Sequence, residues 1–509
     1  MIDTSAYRKK QIVTRQVGIM ETPMNKEGVA FSKIAHVIHL YTLNERKWKK
    51  KADKTLHKIL NDINPSISVC MTDGLCGLGC GLMYLLRNGF VKGDEDIILE
   101  DIDYAVQTAI MDNYHKDISW AHGLCGWFTY IVLRLEKASN PLKKQYIYNK
   151  NSLSLLLGIF HNIRVENDFD KKKLMEGLRK LSQAEILLPQ VKSLLNKYRA
   201  CGSDINENKK INPSVYAVIV LYNGMQWYDK CFKSLEESIH PVHIVAIDNA
   251  SGDETITYIL SKYPDVLIIE SKTNIGFAGA CNMGIDYALK QDADYVFLLN
   301  QDAWIQKDTI TVLLNTFFKN PDAGIVSSIH LNGDGTAIDD TFNNYCPKSF
   351  INDAYFGKMK DEYKVSFVNA AAWLLNCECL KVTGYFNTTL FTHYGEDNNF
   401  CQRILYHGYA IYINTKTHIY HDRANRPHQY KQSMFTKENE FLAEKISLGD
   451  INVYHDINKY IFETKKSILW NLTLLRFNKI IYLKRYLAML KSVRESRILN
   501  AKRVRLSTN

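Results

Sequence analysis

The chain has 509 residues, 46% hydrophobic and 23% charged, and its 64 Lys and Arg against 54 Asp and Glu leave a formal net charge of +10. Such a length exceeds one hydrophobic core, so two or three domains are expected, and the composition excludes a disordered or fibrous chain. The absence of any run of about 20 apolar residues excludes a spanning helix, and the 11 cysteines, odd in number and scattered, exclude a disulfide scaffold and read as reduced thiols.

No apolar stretch follows a basic start, so no signal peptide is expected and the setting reads as cytoplasmic. Residues 1–205 read as an all-α domain, with apolar residues at helical spacing in "FSKIAHVIHLYTLNERKWKKKADKTLHKIL". An internal repeat lies here: "GLCGLGCGLMYLL" from Gly74 and "GLCGWFTYIVLRL" from Gly123, each a Gly-Leu-Cys-Gly turn opening an apolar helix. Repeated helix pairs stack into solenoids or toroids. Residues 201–212, "CGSDINENKKIN", are polar and aperiodic and read as a linker.

From residue 213 the pattern changes. "VYAVIVLYN", "VHIVAIDNAS", "VLIIESKTNIG" and "DYVFLLNQD" read as four strands, and "YDKCFKSLEESI", "ETITYILSKY" and "NMGIDYALKQ" as the helices between them. Strand and helix alternating at this spacing predict an α/β domain over 213–430 with a largely parallel sheet. Each strand ends in short polar residues: Asn223; Asp248 and Asn249; Asn274 with Gly276; Asn300 and Asp302. One such end is a turn signal. Four on one rim predict a polar crevice beyond the carboxyl ends of the strands.

From about Val215 to His421, eight ordered motifs resemble family 2 glycosyltransferases of the GT-A fold, rhamnosyltransferase-like members included. They are "VIVLYN", "IDNASGDET", "TNIGFAGACNMGI", "LLNQDAWI", "AAAWLLN", "GYFNTTLF", "YGEDNNFCQRILYHGY" and "IYH". The resemblance implies a UDP- or dTDP-sugar donor and a glycan or peptide acceptor. It places Asn223, Asp248, Asn249, Asn274, Gly276, Asn282, Asn300 and Trp373 at the substrate, Trp373 with a core role left open. Asp248 can accept from a uracil or thymine N–H, and Asn249 can bond to ribose or hold the loop. The family's metal motif is represented by Asn-Gln-Asp, with Asn300 in place of the first acid. Asp302, joined by His421, is then the expected ligand of Mn²⁺ or Mg²⁺. Asp397 takes the place of the family's catalytic base, a carboxylate of ordinary pKa, with Glu396 at the acceptor hydroxyls. One base, a neutralised leaving group and no second nucleophile imply single displacement with inversion.

The first region resembles lanthionine synthetase C-like α/α toroids through "DGLCGLGCGLMYLL" and "AHGLCGWFTYIVLRL", over only two or three repeats. Cys76, Cys80 and Cys125 invite comparison with that family's zinc ligands but sit in the Gly turns instead, where small thiols let helices pack closely. Residues 431–509 read as a basic helical extension that accounts for the excess charge. "KKSILWNLTLLRFNKIIYLKRYLAMLKSVRES" can place Trp470, Leu474, Phe477, Ile481 and Tyr482 on one face, as a cap on the chain's own surface or as a peripheral contact with the inner face of a membrane. Nucleic acid is not an expected partner, since groove-reading motifs are missing. Two other readings stand beside the transferase: a silent sugar-nucleotide-binding scaffold, motivated by Asn300, and a peptide-modifying protein led by the helical region.

Overall fold

The computed structural model describes residues 29–502 apart from 44, 62–66, 73, 112–116, 139, 200–211, 392–393 and 427–439. The chain divides into two compact units, one of Met1–Ile186 with Leu194–Cys201, the other of Leu187–Ser193 with Gly202–Asn509. The expected linker, except for its last residue, and the expected boundary near 430 fall outside the described residues.

The first unit is helical, with no strand among its described residues. Its two Gly-Leu-Cys-Gly segments open the helices Leu75–Arg87 and Leu124–Glu136. Glycine stands at both starts because the chain passes too close for a side chain. A Cβ on Gly74 would lie 2.1 Å from the Ser68 carbonyl oxygen, and one on Gly123 would lie 2.1 Å from that of Asp117. Those same carbonyls accept the N–H groups of Leu75 and Leu124, at 2.9 and 3.1 Å, which are orphan donors of a first helical turn. Cys76, Cys80 and Cys125 are buried and free. Burial pushes their thiols up, that of Cys80 to about 12, so they are protonated packing groups. A buried ion pair ties two helices of this unit. Asp103 of Glu100–Met111 accepts from Arg134 Nη2 at 2.7 Å and from the Tyr130 hydroxyl at 2.8 Å, both on Leu124–Glu136.

The second unit is built on a nine-stranded sheet: β1 (Val215–Leu221), β2 (His243–Asp248), β3 (Leu267–Glu270), β4 (Tyr295–Asn300), β5 (Ala303–Ile305), β6 (Ala323–Asn332), β7 (Glu362–Val365), β8 (Ala372–Asn376) and β9 (Ala410–His421). The order is β3-β2-β1-β4-β8-β6-β9-β5, with β7 also on β9. The first four strands are parallel, each of β1 to β3 returning through a helix (Tyr228–Glu236, Thr255–Lys262, Gly276–Lys290). Beyond β4 the sheet is mixed rather than parallel. β8 runs antiparallel to β4 and β6, and β5 and β7 run antiparallel to β9. β5 begins two residues after β4 ends, too short a link for the crossover that a parallel pair requires. β1 is buried on both faces, Val218 in one core and Ala217, Ile219 and Leu221 in the other, which is why it reads as an unbroken apolar run.

Trp373, expected at the substrate, belongs to the core instead. It is fully buried on β8 and stacks on Phe386 with ring centroids 6.0 Å apart, tilted against Phe400 at 5.7 Å. The basic stretch is not one helix but two, Ile457–Thr473 and Phe477–Ala501, with Leu475 at φ +54° between them.

Candidate functional site

Parallel register brings the strand ends to one edge. Leu221 pairs with Asp248, Asp248 with Glu270, and Val220 with Asn300. Asp248 is buried. Its Oδ2 accepts from the Ser251 N–H at 3.2 Å, whereas Oδ1 has no hydrogen-bond partner among the described residues. A buried carboxylate oxygen left open is costly unless a ligand donor meets it.

The neighbouring amides shape this edge. Asn249 Oδ1 accepts from the Ile275 N–H at 2.9 Å, and its Nδ2 donates to Asn274 Oδ1 at 3.0 Å. Asn274 Oδ1 also accepts from the Gly276 N–H at 3.0 Å. Gly276 sits at φ +77°, a conformation that favours glycine, and from there the helix Gly276–Lys290 begins. Asn223, at φ +47°, accepts from the Gly252 N–H at 2.8 Å. Asn282, expected at the substrate, clamps the backbone of Phe386 through both its oxygen and its nitrogen, at 2.9 and 3.0 Å. These bonds give Asn249, Asn274 and Asn282 loop-holding roles. Gln301, not singled out in the sequence, does the same, bonding the N–H and C=O of Tyr222 at 2.8 and 3.1 Å.

Asp302 follows β4, and the β5–β9 pairing sets Ala303 opposite His421. His421 Nε2 thereby lies 3.4 Å from Asp302 Oδ1, both side chains buried. Between them reaches a residue the sequence reading missed. Arg426 donates through Nε to Asp302 Oδ2 at 2.5 Å and through Nη2 to His421 Nε2 at 3.0 Å. A guanidinium only donates, so Nε2 carries a lone pair and His421 is neutral with its proton on Nδ1. Burial drives the imidazole the same way, against the pull of Asp302. Nδ1 faces Asp339 Oδ2 at 3.9 Å, and Arg423 holds that oxygen at 2.9 Å. Burial alone would raise the Asp302 carboxyl; His421, which is protonated at the low pH where Asp302 titrates, and the permanently charged Arg426 hold it well below the usual carboxylate range. Asn300 Nδ2 lies 3.4 Å from His421 Nε2, and its buried Oδ1 has no partner among the described residues.

Among the described residues no group of three His, Cys, Asp or Glu side chains gathers to hold a metal ion; a carboxylate and an imidazole nitrogen lie side by side next to the Asn300 amide. That donor set suits a divalent ion, with imidazole favouring Mn²⁺ over Mg²⁺.

Glu396 and Asp397 begin the helix Glu396–Tyr406. Asp397 accepts from the Asn398 N–H at 2.8 Å and from its side-chain amide at 3.2 Å, with the backbone N–H of Ala370 as a further donor. Burial raises its pKa above the ordinary value, contrary to the expected unperturbed carboxylate, while those donors oppose the shift. Glu396 is raised further, to about 7, by burial first and then by Asp397, and its Oε2 has no partner among the described residues. Ala370 and Ala371 connect the two halves of the site. Ala370 meets Asp397, and the carbonyl of Ala371 accepts the Asn300 N–H at 3.0 Å. The Tyr345 hydroxyl lies in the fields of Arg423, Asp339 and Asp397 together.

With this geometry in view, comparison with known proteins gives a consistent family. Residues 216–383 match the family model described as Glycosyl transferase family 2. The dTDP-rhamnosyl transferase RfbF of Shigella flexneri is 25% identical over 205 residues, 40% of this chain and 67% of that protein. The low-salt glycan biosynthesis hexosyltransferase Agl10 of Haloferax volcanii is 28% identical over 191 residues, 36% of this chain and 60% of that protein. Among solved structures, the mannosyltransferase PcManGT of Pyrobaculum calidifontis, in complex with GDP-Man and Mn²⁺, superposes with a TM-score of 0.34 at 15% identity, covering 64% of this chain and 85% of that one. Residues 216–383 of the second unit are thus similar to family 2 glycosyltransferases.

Proposed function

We propose that this family 2 domain makes the chain an inverting glycosyltransferase, moving a sugar from a UDP- or dTDP-activated donor to a glycan acceptor. The observation that carries the reading is the Ala370–Ala371 segment. The Ala371 carbonyl bonds the Asn300 N–H at 3.0 Å and the preceding Ala370 backbone lowers the Asp397 carboxyl against its burial, so a raised-pKa carboxylate is tied through this segment to the strand end that leads to Asp302.

In this reading the open Oδ1 of Asp248 accepts the imide N–H of the donor's pyrimidine, and the Asn249–Asn274–Gly276 bonds fix the loop around it. Asp302 and His421 are the side chains that would hold Mn²⁺ or Mg²⁺. When bound, the ion offsets negative charge on the departing diphosphate. Loading it requires Arg426 to release both side chains. Asp397 takes the proton of the acceptor hydroxyl, and its raised pKa makes it a stronger base than a solvated carboxylate. Glu396 bonds a neighbouring acceptor hydroxyl. Without a second nucleophile, attack from the Asp397 side inverts the anomeric centre.

The test is donor turnover with Mn²⁺ across a panel of nucleotide sugars, with the product anomer read by NMR. Asp397→Asn is expected to retain donor binding and lose turnover, and Asp302→Asn to lose both metal response and turnover. Unchanged turnover in Asp397→Asn, or a retained configuration, refutes the reading. The bond between Arg426 and Asp302 favours a second reading, a sugar-nucleotide-binding protein without turnover; tight donor binding with an inert wild type would establish it.

A further inference from the structure

The two C-terminal helices form a hairpin with a rooted base and a bare tip. At the base, Ile457 and Ile461 of the first helix and Met489, Leu490 and Val493 of the second pack with Leu390, Phe391 and Leu448. Arg497 binds the Leu448 carbonyl at 2.9 Å, and Asn387 binds the Ser496 hydroxyl at 2.8 Å. Between Lys465 and Ala488 only Asn471 and Ile480 are buried. Beyond Tyr482, whose ring meets Phe441 at 5.3 Å, the tip stands clear of the core by about 8 Å, five residues at helical rise.

What the tip exposes is apolar and aromatic: Leu469 is 66% exposed, Trp470 65%, Leu475 70% and Phe477 63%, with Ile481 and Tyr482 alongside at 56% and 47%. Single exposed apolar residues are ordinary, whereas a contiguous group of this kind marks a contact surface. Its charge is one-sided. No acid occurs between Glu463 and Glu495, against eight Lys and Arg, and Lys465, Lys466, Arg476 and Lys479 ring the apolar tip. No helix among the described residues is long and apolar enough to cross a membrane.

We infer that this hairpin tip docks on an anionic lipid bilayer, with its aromatic and aliphatic side chains in the interfacial layer and the flanking cations on the headgroups. Tryptophan and tyrosine suit that layer, being apolar in body and polar at one end. A second copy of the chain fits less well, because the four cations that ring the tip would face their own likeness. The surface stands independently of which reaction the cleft performs.

The experiment is co-sedimentation of the full chain with vesicles of phosphatidylcholine alone and of three parts phosphatidylcholine to one part phosphatidylglycerol. Binding to the anionic vesicles is expected to be about a hundredfold tighter and to weaken as salt rises towards about 0.5 M. The double variant Leu475→Ser, Phe477→Ser is expected to bind roughly tenfold or more weakly with its thermal melting unchanged. Should that variant misfold, quenching of tryptophan emission by brominated lipid, compared between wild type and Trp470→Phe, decides the matter, since only the part of the quenching lost with Trp470 reports an inserted tip. Equal binding to neutral vesicles, no binding, no quenching, or a dimer in solution that the tip variant disrupts would each overturn the proposal.

Discussion

Glu396 gives the sharpest handle on the acceptor side. Burial, and then the neighbouring Asp397, raise its pKa from an ordinary 4.5 to about 7. Between those values the folded chain holds a proton that the unfolded chain has released. Stability therefore falls as pH rises from 4.5, and the loss is complete above 7. The gap converts to about 3 kcal/mol at most, at about 1.4 kcal/mol per pH unit. Glu396 is only partly buried, so solvent screening reduces this to about 1–2 kcal/mol. Glu396→Gln keeps the shape and removes the charge. At about pH 8 it is expected to unfold later than wild type by roughly 2–4 °C, and at about pH 5 to match it. Differential scanning calorimetry at both pH values is the assay, with the transition of the second unit followed by itself. A difference independent of pH, or a variant less stable at the higher pH, would show that the carboxylate is well solvated or bonded as an anion and would refute the argument.

Three other substitutions test separate parts of the molecule. Arg426→Ala removes the guanidinium from Asp302 and His421, and manganese affinity, read from free Mn²⁺ by EPR, should tighten by about tenfold or more because a charge-assisted bond no longer competes; unchanged or weaker affinity counts against Arg426 as the ion's rival. Trp373→Ala empties a fully buried indole site against Phe386 and Phe400 and is expected to cost about 3–5 kcal/mol in chemical unfolding; a loss of donor affinity without destabilisation would return Trp373 to the substrate. Asp103→Ala leaves the buried Tyr130 hydroxyl unpaired and Arg134 with only Glu95 and Asp96, and should destabilise the first unit by about 1–3 kcal/mol, with no measurable change pointing to a solvated pair.

Polar strand ends were legible because a parallel sheet buries its strands until they stop, so Asp248 and Asn300 stand out at the boundary of an apolar run. Their division of labour was not legible. Asn249 and Asn274 carry the chemistry of a ribose contact and of a loop clamp equally, and only the bond between them decides for the clamp. "AAAWLL" reads the same whether its tryptophan faces a sugar or the core. The contact between Arg426 and Asp302 spans 124 residues, and no local pattern encodes it. The hairpin turn was hidden for another reason. Leu474, Leu475 and Arg476 contain neither Gly nor Pro, and Leu475 takes a left-handed conformation that sequence signals reserve for Gly or Asn.

The arrangement around Asp302 also bears on how the site is kept ready. A carboxylate this deeply buried is not stable as a lone charge, so a cation must accompany it whether or not donor is present. Arg426 meets that need from a position five residues beyond His421, on the chain that leaves β9. Because the same guanidinium satisfies the imidazole lone pair, both candidate ligands stay charged or oriented as a metal needs them, Asp302 ionised and His421 neutral. If the Asp302–His421 pair holds a divalent ion, as the proposed function has it, that ion would exchange one cation for another instead of creating a new buried charge pair. Metal affinity should then depend on how readily Arg426 finds a substitute anion, and the diphosphate of a sugar nucleotide is an anion of the right kind. On that logic metal and donor bind with positive coupling, each tighter in the presence of the other, and the share of that coupling that runs through Arg426 is lost in Arg426→Ala.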